Sequence, residues 1–175
     1  MAFARSKKVW DEVTLYEYAI GALGRRMRTV AELKRLMRER ARVQPNCEQM
    51  IETVIGLLKE QRYLNDAQYA ATYSSLRRDN EKYGRRRVVT DLKARGVHQE
   101  LVEKAVAGAY EDVNEEAQAR AYLRRKRLQK PANEKQAARI FRSLVRAGFG
   151  TRTIIAILKK WDVEDEVLTA LESEE

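Results

Sequence analysis

Apolar residues recur at helical spacing along almost the whole chain. Leu15, Tyr18, Ala19 and Leu23 form one such set, Val30, Leu33 and Met37 a second, and Ile51, Val54, Ile55 and Leu58 a third. Spacings of three and four place each set on one face of a helix, whereas a strand needs strict alternation, of which there is no convincing run. The fold class expected is therefore all-α. The punctuation between these runs agrees. Thr29 precedes an apolar run with Glu32 three positions on, a capping-box arrangement. Asn46, Asn65, Asn114 and Asn133 stand where N-caps are needed, and Gly96 and Gly148 where a helix ends on a left-handed residue. Pro45 and Pro131, the two prolines, both fall in expected connections.

The pattern also repeats. "LKARGVHQELVEKAV", residues 92–106, lies over "LVRAGFGTRTIIAIL", residues 144–158, at a constant offset of 52. The glycine, the apolar residue after it (Val97, Phe149) and the next helix face (Val102, Ala105 and Val106 against Ile154, Ile157 and Leu158) coincide. A looser copy lies upstream, where Leu33 and Met37 match Val88 and Leu92 or Ile140 and Leu144, and Ile51, Val54 and Ile55 match Val102, Ala105 and Val106. The expected organisation is three tandem three-helix repeats, 14–64, 65–110 and 114–161, behind an N-terminal extension, 1–13, and before an acidic segment, 162–175. Units of this size bury little alone and stack on their neighbours, so an elongated, curved body is expected. Within the acidic segment "VEDEVLTAL" has helix spacing, which predicts a short last helix.

Charge changes the picture from a fold to a partner. The chain has 35 Lys+Arg against 26 Asp+Glu, a net charge of +9 and a pI near 9.7. Such a balance favours polyanions, nucleic acid first and acidic lipid second. The excess is clustered. One cluster runs from Arg25 and Arg26 to Arg42, a second from Arg77 and Arg78 to Arg95, and a third through Arg120, Arg124, Arg125, Lys126, Arg127 and Lys130. Each repeat thus carries one basic cluster. A single cysteine, Cys47, suits a reducing compartment, no stretch is apolar enough to span a bilayer, and the opening MAFARSKK has no hydrophobic core after its charges. A cytoplasmic location is the expectation.

Catalysis finds little to stand on. His98 is the only histidine and lies just past an expected helix end, Cys47 is remote from it, and no phosphate loop or nucleophile elbow is present. Glu115 and Glu116 fall at an expected helix start, where the dipole explains them. No catalytic, cofactor-binding or metal-binding residue is expected, and no small-molecule substrate. Tyr63, Tyr69 and Tyr73, with Leu64, Ala67 and Ala70, could stack bases but fit a buried seam between repeats better. Trp10 and Trp161 lie near the two ends of the repeats, as capping hydrophobes would.

"EKYGRRRVVTDLKARGV", residues 81–97, is the stretch that asks for a ligand. Gly84 breaks the chain, and the helix expected after it opens on Arg85, Arg86 and Arg87, cations at the positive end of a helix. An anion held jointly by the first-turn amides and the guanidinium groups would reverse that repulsion.

Residues 54–97 resemble the RecX family of bacterial recombination regulators. The resemblance is carried by an apolar helix ending in Tyr63-Leu64, the turn Asn65-Asp66, then Ala67, Tyr69 and Ala70, and Arg77, Gly84, Arg87, Val88, Leu92, Gly96 and Val97 in order. It extends over about 14–160. In the first repeat "RERARVQPNCEQ" is longer than usual and lacks the glycine found at Gly96 and Gly148, and Asn65 and Tyr69 stand for a more typical acid and phenylalanine. The resemblance implies tandem three-helix repeats and binding to the RecA recombinase, mainly as its filament on single-stranded DNA. It implies inhibition of ATP hydrolysis, strand exchange and coprotease activity, hence a negative role in recombination, DNA repair and the SOS response. Contact candidates, from charge and repeat position, are Arg77, Arg78, Arg85, Arg86, Arg87, Arg124, Arg125, Lys126 and Arg127, with Arg25 and Arg26 behind them. Direct binding to naked DNA would be weak and non-specific. The alternatives are a stand-alone DNA-binding regulator, since each repeat's last two helices fit a helix-turn-helix, and a scaffold for acidic partners.

Overall fold

A computed structural model describes residues 10–173. The opening MAFARSKK, and with it most of the expected N-terminal extension, lies outside the described residues, as do the last two acids of the tail. Among the described residues the regular structure is ten helices and no strand: α1 Glu12–Arg25, α2 Val30–Ala41, α3 Cys47–Glu60, α4 Asp66–Asp79, α5 Arg85–Ala94, α6 Gln99–Ala109, α7 Glu115–Arg125, α8 Glu134–Arg146, α9 Thr151–Lys159 and α10 Asp165–Ser173. The fold is all-α, built of three-helix repeats.

The aligned apolar positions occupy equivalent places in the core. Leu33, Met37, Val88, Leu92 and Leu144 are fully buried and Ile140 nearly so. Ile51, Val54, Val102, Val106, Ile154, Ile157 and Leu158 line the matching face of each third helix. Caps start the helices as the side chains dictate. Thr29 and Glu32 close a full capping box on α2. Asn65, Asn114 and Asn133 accept from the amides of Gln68, Ala117 and Gln136. Asn46 departs from the expectation: it precedes α3 at φ −109°, ψ 28°, and its side chain makes no cap bond. Arriving from Pro45, it lacks the extended backbone that aims an N-cap oxygen at the next turn.

Two compact units result. Unit 1 takes the chain up to Tyr69 together with Arg95–Val97, and unit 2 takes Ala70–Ala94 and everything from His98 onward. The core of unit 1 packs α1, α2 and α3 around Leu15, Leu33, Met37, Ile51 and Leu58, with Trp10 and Tyr18 edge to face beside it. The core of unit 2 gathers Tyr122, Phe141, Leu144, Phe149 and Ile157, against which Tyr83 and Trp161 pack, and α10 adds Leu168 and Leu171.

Polar contacts explain why the α5–α6 corner, Arg95–Val97, belongs to unit 1. Gly96 has φ +74°, and a Cβ there would lie within 3.0 Å of the Ala31 methyl group. Thr29 is fully buried and donates its hydroxyl to the Arg95 carbonyl at 2.7 Å, while the Arg95 guanidinium reaches Glu32 at 2.7 Å. The start of α2 thus sits on the residues that follow α5. Asp66 completes the joint by accepting the Val30 amide at 2.9 Å. In unit 2 the same joint recurs with backbone in place of side chains. Gly84 and Arg86, at the start of α5, donate their amides to the carbonyls of Ala147 and Gly148 at 2.8 and 3.2 Å. Gly148 has φ +88°, and a Cβ on it would fall within 3.0 Å of Arg87 backbone atoms.

Asp66 offers a test of the first joint. Burial pushes its carboxyl above the ordinary value, against the pull of the Val30 amide. An acid whose pKa rises on folding is better tolerated protonated, so its contribution to stability falls as pH rises from below the unfolded value through the folded one. Asp66→Asn keeps the acceptor and removes the charge. It is expected to match or exceed the parent in urea unfolding at neutral pH, with the difference vanishing below a pH of about 3. Asp66→Ala, which leaves the amide without its acceptor, should lose about 1 kcal/mol.

Candidate functional site

The basic clusters take their places from the repeat. Arg25, Arg77 and Arg78, and Arg124 and Arg125 each fall in the last turn of a first helix, α1, α4 and α7. Cations suit that end of a helix, where unpaired carbonyls gather. Arg26, in unit 1, follows α1 and is exposed like Arg25. Lys126 and Arg127 follow α7, Arg127 with a left-handed backbone at φ 54° that turns the chain away from the helix.

Unit 2 brings the second and third clusters together at Glu81. Arg125 reaches one carboxylate oxygen of Glu81 at 3.0 Å, and Arg77 approaches the other at 3.8 Å. Around this pair lie tyrosine rings. The Arg77 guanidinium is 4.9 Å from the Tyr73 ring centre, Arg87 is 5.7 Å from Tyr83, and Lys126 is 5.9 Å from Tyr122. Tyr83 and Tyr122 themselves stand 6.4 Å apart. Residues far apart in sequence therefore form one surface in which guanidinium groups lie on aromatic faces. That surface is the candidate site.

Its members differ in what else holds them. Arg78 donates to the Ala109 carbonyl and pairs with Asp79 at 2.7 Å, and this bond holds the Asp79 carboxyl below the usual range. Its backbone carbonyl also accepts from Gln118 at 2.7 Å, so Arg78 ties α4 to α6 and α7. Arg87 pairs with Asp91 at 3.0 Å. Arg85, Arg86, Arg124 and Arg127 are exposed and, among the described residues, have no ion-pair partner. Glu115 and Glu116 are also engaged. Glu115 accepts the Gly150 amide at 3.0 Å, and Glu116 takes Lys160 at 2.8 Å and Arg120 at 2.9 Å, which holds its carboxyl below the usual range.

The anion expected at the start of α5 is corrected by this geometry. The Gly84 and Arg86 amides are already bonded to Ala147 and Gly148, so they are not offered to a phosphate. The end of α8 meets the start of α5 head to tail, and its carbonyls supply the negative partner that the three arginines lack within their own helix. The guanidinium groups remain outward. The tyrosine expectation is corrected in two places: Tyr69, Leu64 and Ala70 are buried and Tyr73 half-buried, but Ala67 is exposed, and Tyr63 is 59% exposed, because Arg62 before it is left-handed (φ 61°) and breaks the helical phase. The tyrosines that matter to the site, Tyr83 and Tyr122, were not among those singled out. Their signal was present, since Tyr73 and Tyr122 hold equivalent places in the first helices of successive repeats. Their hydroxyls bond Asp91 and Ser143, each at 3.2 Å and at equivalent places in the middle helices. Glu81 was also missed, though an acid set in "NEKYGRRR" is conspicuous.

Among the described residues no three or more His, Cys, Asp or Glu side chains gather as a metal site, and no helix is long and apolar enough to cross a membrane. His98 precedes α6, exposed and without a cap bond.

The family model for RecX, second three-helix domain, matches residues 65–106, the segment from the α4 cap to α6. The regulatory protein RecX of Bacillus licheniformis is 27% identical over 152 residues, 86% of this chain and 56% of that protein. The likeness is to the RecX family. The regulatory protein RecX of Bacillus subtilis is 26% identical over 165 residues, 93% of this chain and 61% of that one. The chain thus spans between half and two-thirds of the length of these relatives. The fold is shared with the crystal structure of RecX from Lactobacillus salivarius, at TM-score 0.61 and 20% identity over 86% of this chain and 96% of that one. It is shared also with a second crystal structure of regulatory protein RecX, at TM-score 0.62 and 21% identity over 85% of this chain and 71% of that one.

Proposed function

We propose that this RecX-like protein is a cytoplasmic negative regulator of homologous recombination that binds the RecA recombinase on single-stranded DNA. It would lower the recombinase's ATP hydrolysis, strand exchange and coprotease activity. The observation that carries this reading is the convergence of two basic clusters, from α4 and α7, on one tyrosine-backed surface of unit 2. Arginine forks recognise phosphate and carboxylate alike, so such a surface suits DNA phosphates, acidic recombinase surface, or both. The exposed arginines of this surface, Arg85, Arg86, Arg124 and Arg127, are the proposed contacts, with Arg77, Arg87, Arg125 and Lys126 beside them and Arg25 and Arg26 as a separate contact in unit 1. Arg78 is proposed as support rather than contact, since it is held within the fold.

A stand-alone helix-turn-helix regulator is less well supported. The corners such a motif would use, at Gly96 and Gly148, lie against Ala31 and Arg87, each within the space of a methyl group. The test is enzymatic. Protein added below stoichiometry to preformed recombinase filaments on single-stranded DNA is expected to lower steady-state ATP hydrolysis. Unchanged hydrolysis at equimolar protein would remove the filament-regulator reading.

A further inference from the structure

The second basic cluster contains three acids, Asp79, Glu81 and Asp91, and each is paired differently. Asp79 pairs with its sequence neighbour Arg78, and Asp91 with Arg87 one turn away on the same helix. Of the three, only Glu81 forms an ion pair with an element remote in sequence. It lies in the α4–α5 connection, is 26% exposed, and gives one oxygen to Arg77 at the end of α4 and the other to Arg125 at the end of α7. A monoanion with two acceptor oxygens thus sits between two guanidinium groups, and the helices that supply its setting also carry the unpaired Arg85, Arg86 and Arg124. Its surroundings make it expendable to the fold: both partners are more than a third exposed or close to it, at 35% and 40%, and ion pairs so exposed contribute little to stability.

We infer that Glu81 is a built-in stand-in for a backbone phosphate of single-stranded nucleic acid, held by Arg77 and Arg125 until a phosphodiester displaces it. The inference rests on the reading of this surface as an anion-binding face and deepens it by naming the ligand group and the residue that competes for its place. A phosphodiester carries the same single charge and the same pair of acceptor oxygens as the carboxylate, so the arginines need no new geometry to receive it. Nucleic acid is favoured over an isolated acidic side chain because one polyanion can engage the clamp and then Arg85, Arg86, Arg124 and Arg127 in succession. The tyrosines act as floors, not base platforms, since Arg77, Arg87 and Lys126 already lie near the faces of Tyr73, Tyr83 and Tyr122. Glu81 thereby restrains binding to naked strands: one ligand phosphate must first expel a resident carboxylate.

The test uses the full chain, a fluorescent single-stranded oligothymidylate and a range of salt concentrations. Glu81→Gln and Glu81→Ala are each expected to tighten binding about 5- to 10-fold. The slope of log affinity against log salt should change little, because the parent complex already holds that phosphate once the carboxylate is displaced. Arg125→Ala should weaken binding and flatten the slope by up to about 0.7, the increment for one phosphate on a single strand. A folded Glu81→Gln with unchanged or weaker binding overturns the stand-in, while loss of binding in Arg125→Ala would still uphold the face. If neither Glu81→Gln nor reversal of Arg85 and Arg86 alters binding of the strand or inhibition of the filament, the face itself falls. If Glu81→Gln leaves the oligonucleotide affinity alone yet strengthens inhibition of the recombinase, the displaced carboxylate was standing in for an acidic protein group, and the nucleic-acid assignment is wrong. Unfolding in urea, followed on each variant, separates any of these outcomes from loss of structure.

Discussion

Gly148→Ala is expected to destabilise unit 2 by about 2–4 kcal/mol. Two costs add: a non-glycine residue held in the left-handed region, and a methyl group driven into the backbone at the start of α5. Neither cost is easily relieved. The φ of +88° is fixed by the turn from α8 to α9, and the atoms a Cβ would meet are Arg87 backbone as well as its Cβ. Two tryptophans make the measurement local, since Trp10 reports on unit 1 and Trp161 on unit 2. In a Trp10→Phe background the urea midpoint seen by Trp161 should fall well below that of the parent. Gly108→Ala supplies the opposite sign. Gly108 lies inside α6 with open space where a Cβ would go, so alanine there should add roughly 0.5–1 kcal/mol. If the two substitutions behave alike, the joint between α8 and α5 is not under the constraint described here.

The second large effect is functional. Reversing Arg85 and Arg86 to glutamate is expected to leave the fold intact while inhibition of the recombinase filament falls at least tenfold. Both side chains are exposed and without ion-pair partners among the described residues, so little stability rests on them, and the carbonyls at the end of α8 offset the dipole gain that acids in a first turn would otherwise bring. Arg87 is left in place because it pairs with Asp91 and lies by Tyr83, so its loss would mix a structural effect with the functional one. Thermal unfolding and inhibition of ATP hydrolysis should therefore move independently. A folded double variant with full inhibition would mean that the binding face excludes the start of α5.

What the sequence could reveal follows from the range of each interaction. Local rules placed Thr29, Asn65, Asn114 and Asn133 as caps, because a side chain and an amide three residues on meet in any helix start. The repeat was legible because Gly96 and Gly148 answer the same steric demand, and the apolar faces on either side answer the same burial. Failures came where the partner is distant or the backbone leaves its period. Nothing near Gly84 says that its amide is held by Ala147, sixty-three positions later, so an anion was an equally good answer to three arginines at a helix start. Glu81 looks like one acid in a basic run until α7 delivers Arg125 to it. Tyr63 follows a left-handed Arg62, and helical spacing does not carry across such a residue.

The glycine missing from the first repeat now has a physical reason. Gly96 and Gly148 are needed because a helix start presses on each of them, Ala31 on one and Arg87 on the other. The corresponding corner between α2 and α3, Arg42 to Asn46, is largely exposed, with Val43 75% accessible, no residue there is left-handed, and no described helix start rests on it. A glycine at a second corner is thus the mark of a helix start received there, and a designer adding a unit behind α10 would place one at that unit's own second corner to receive Asn133 and the start of α8.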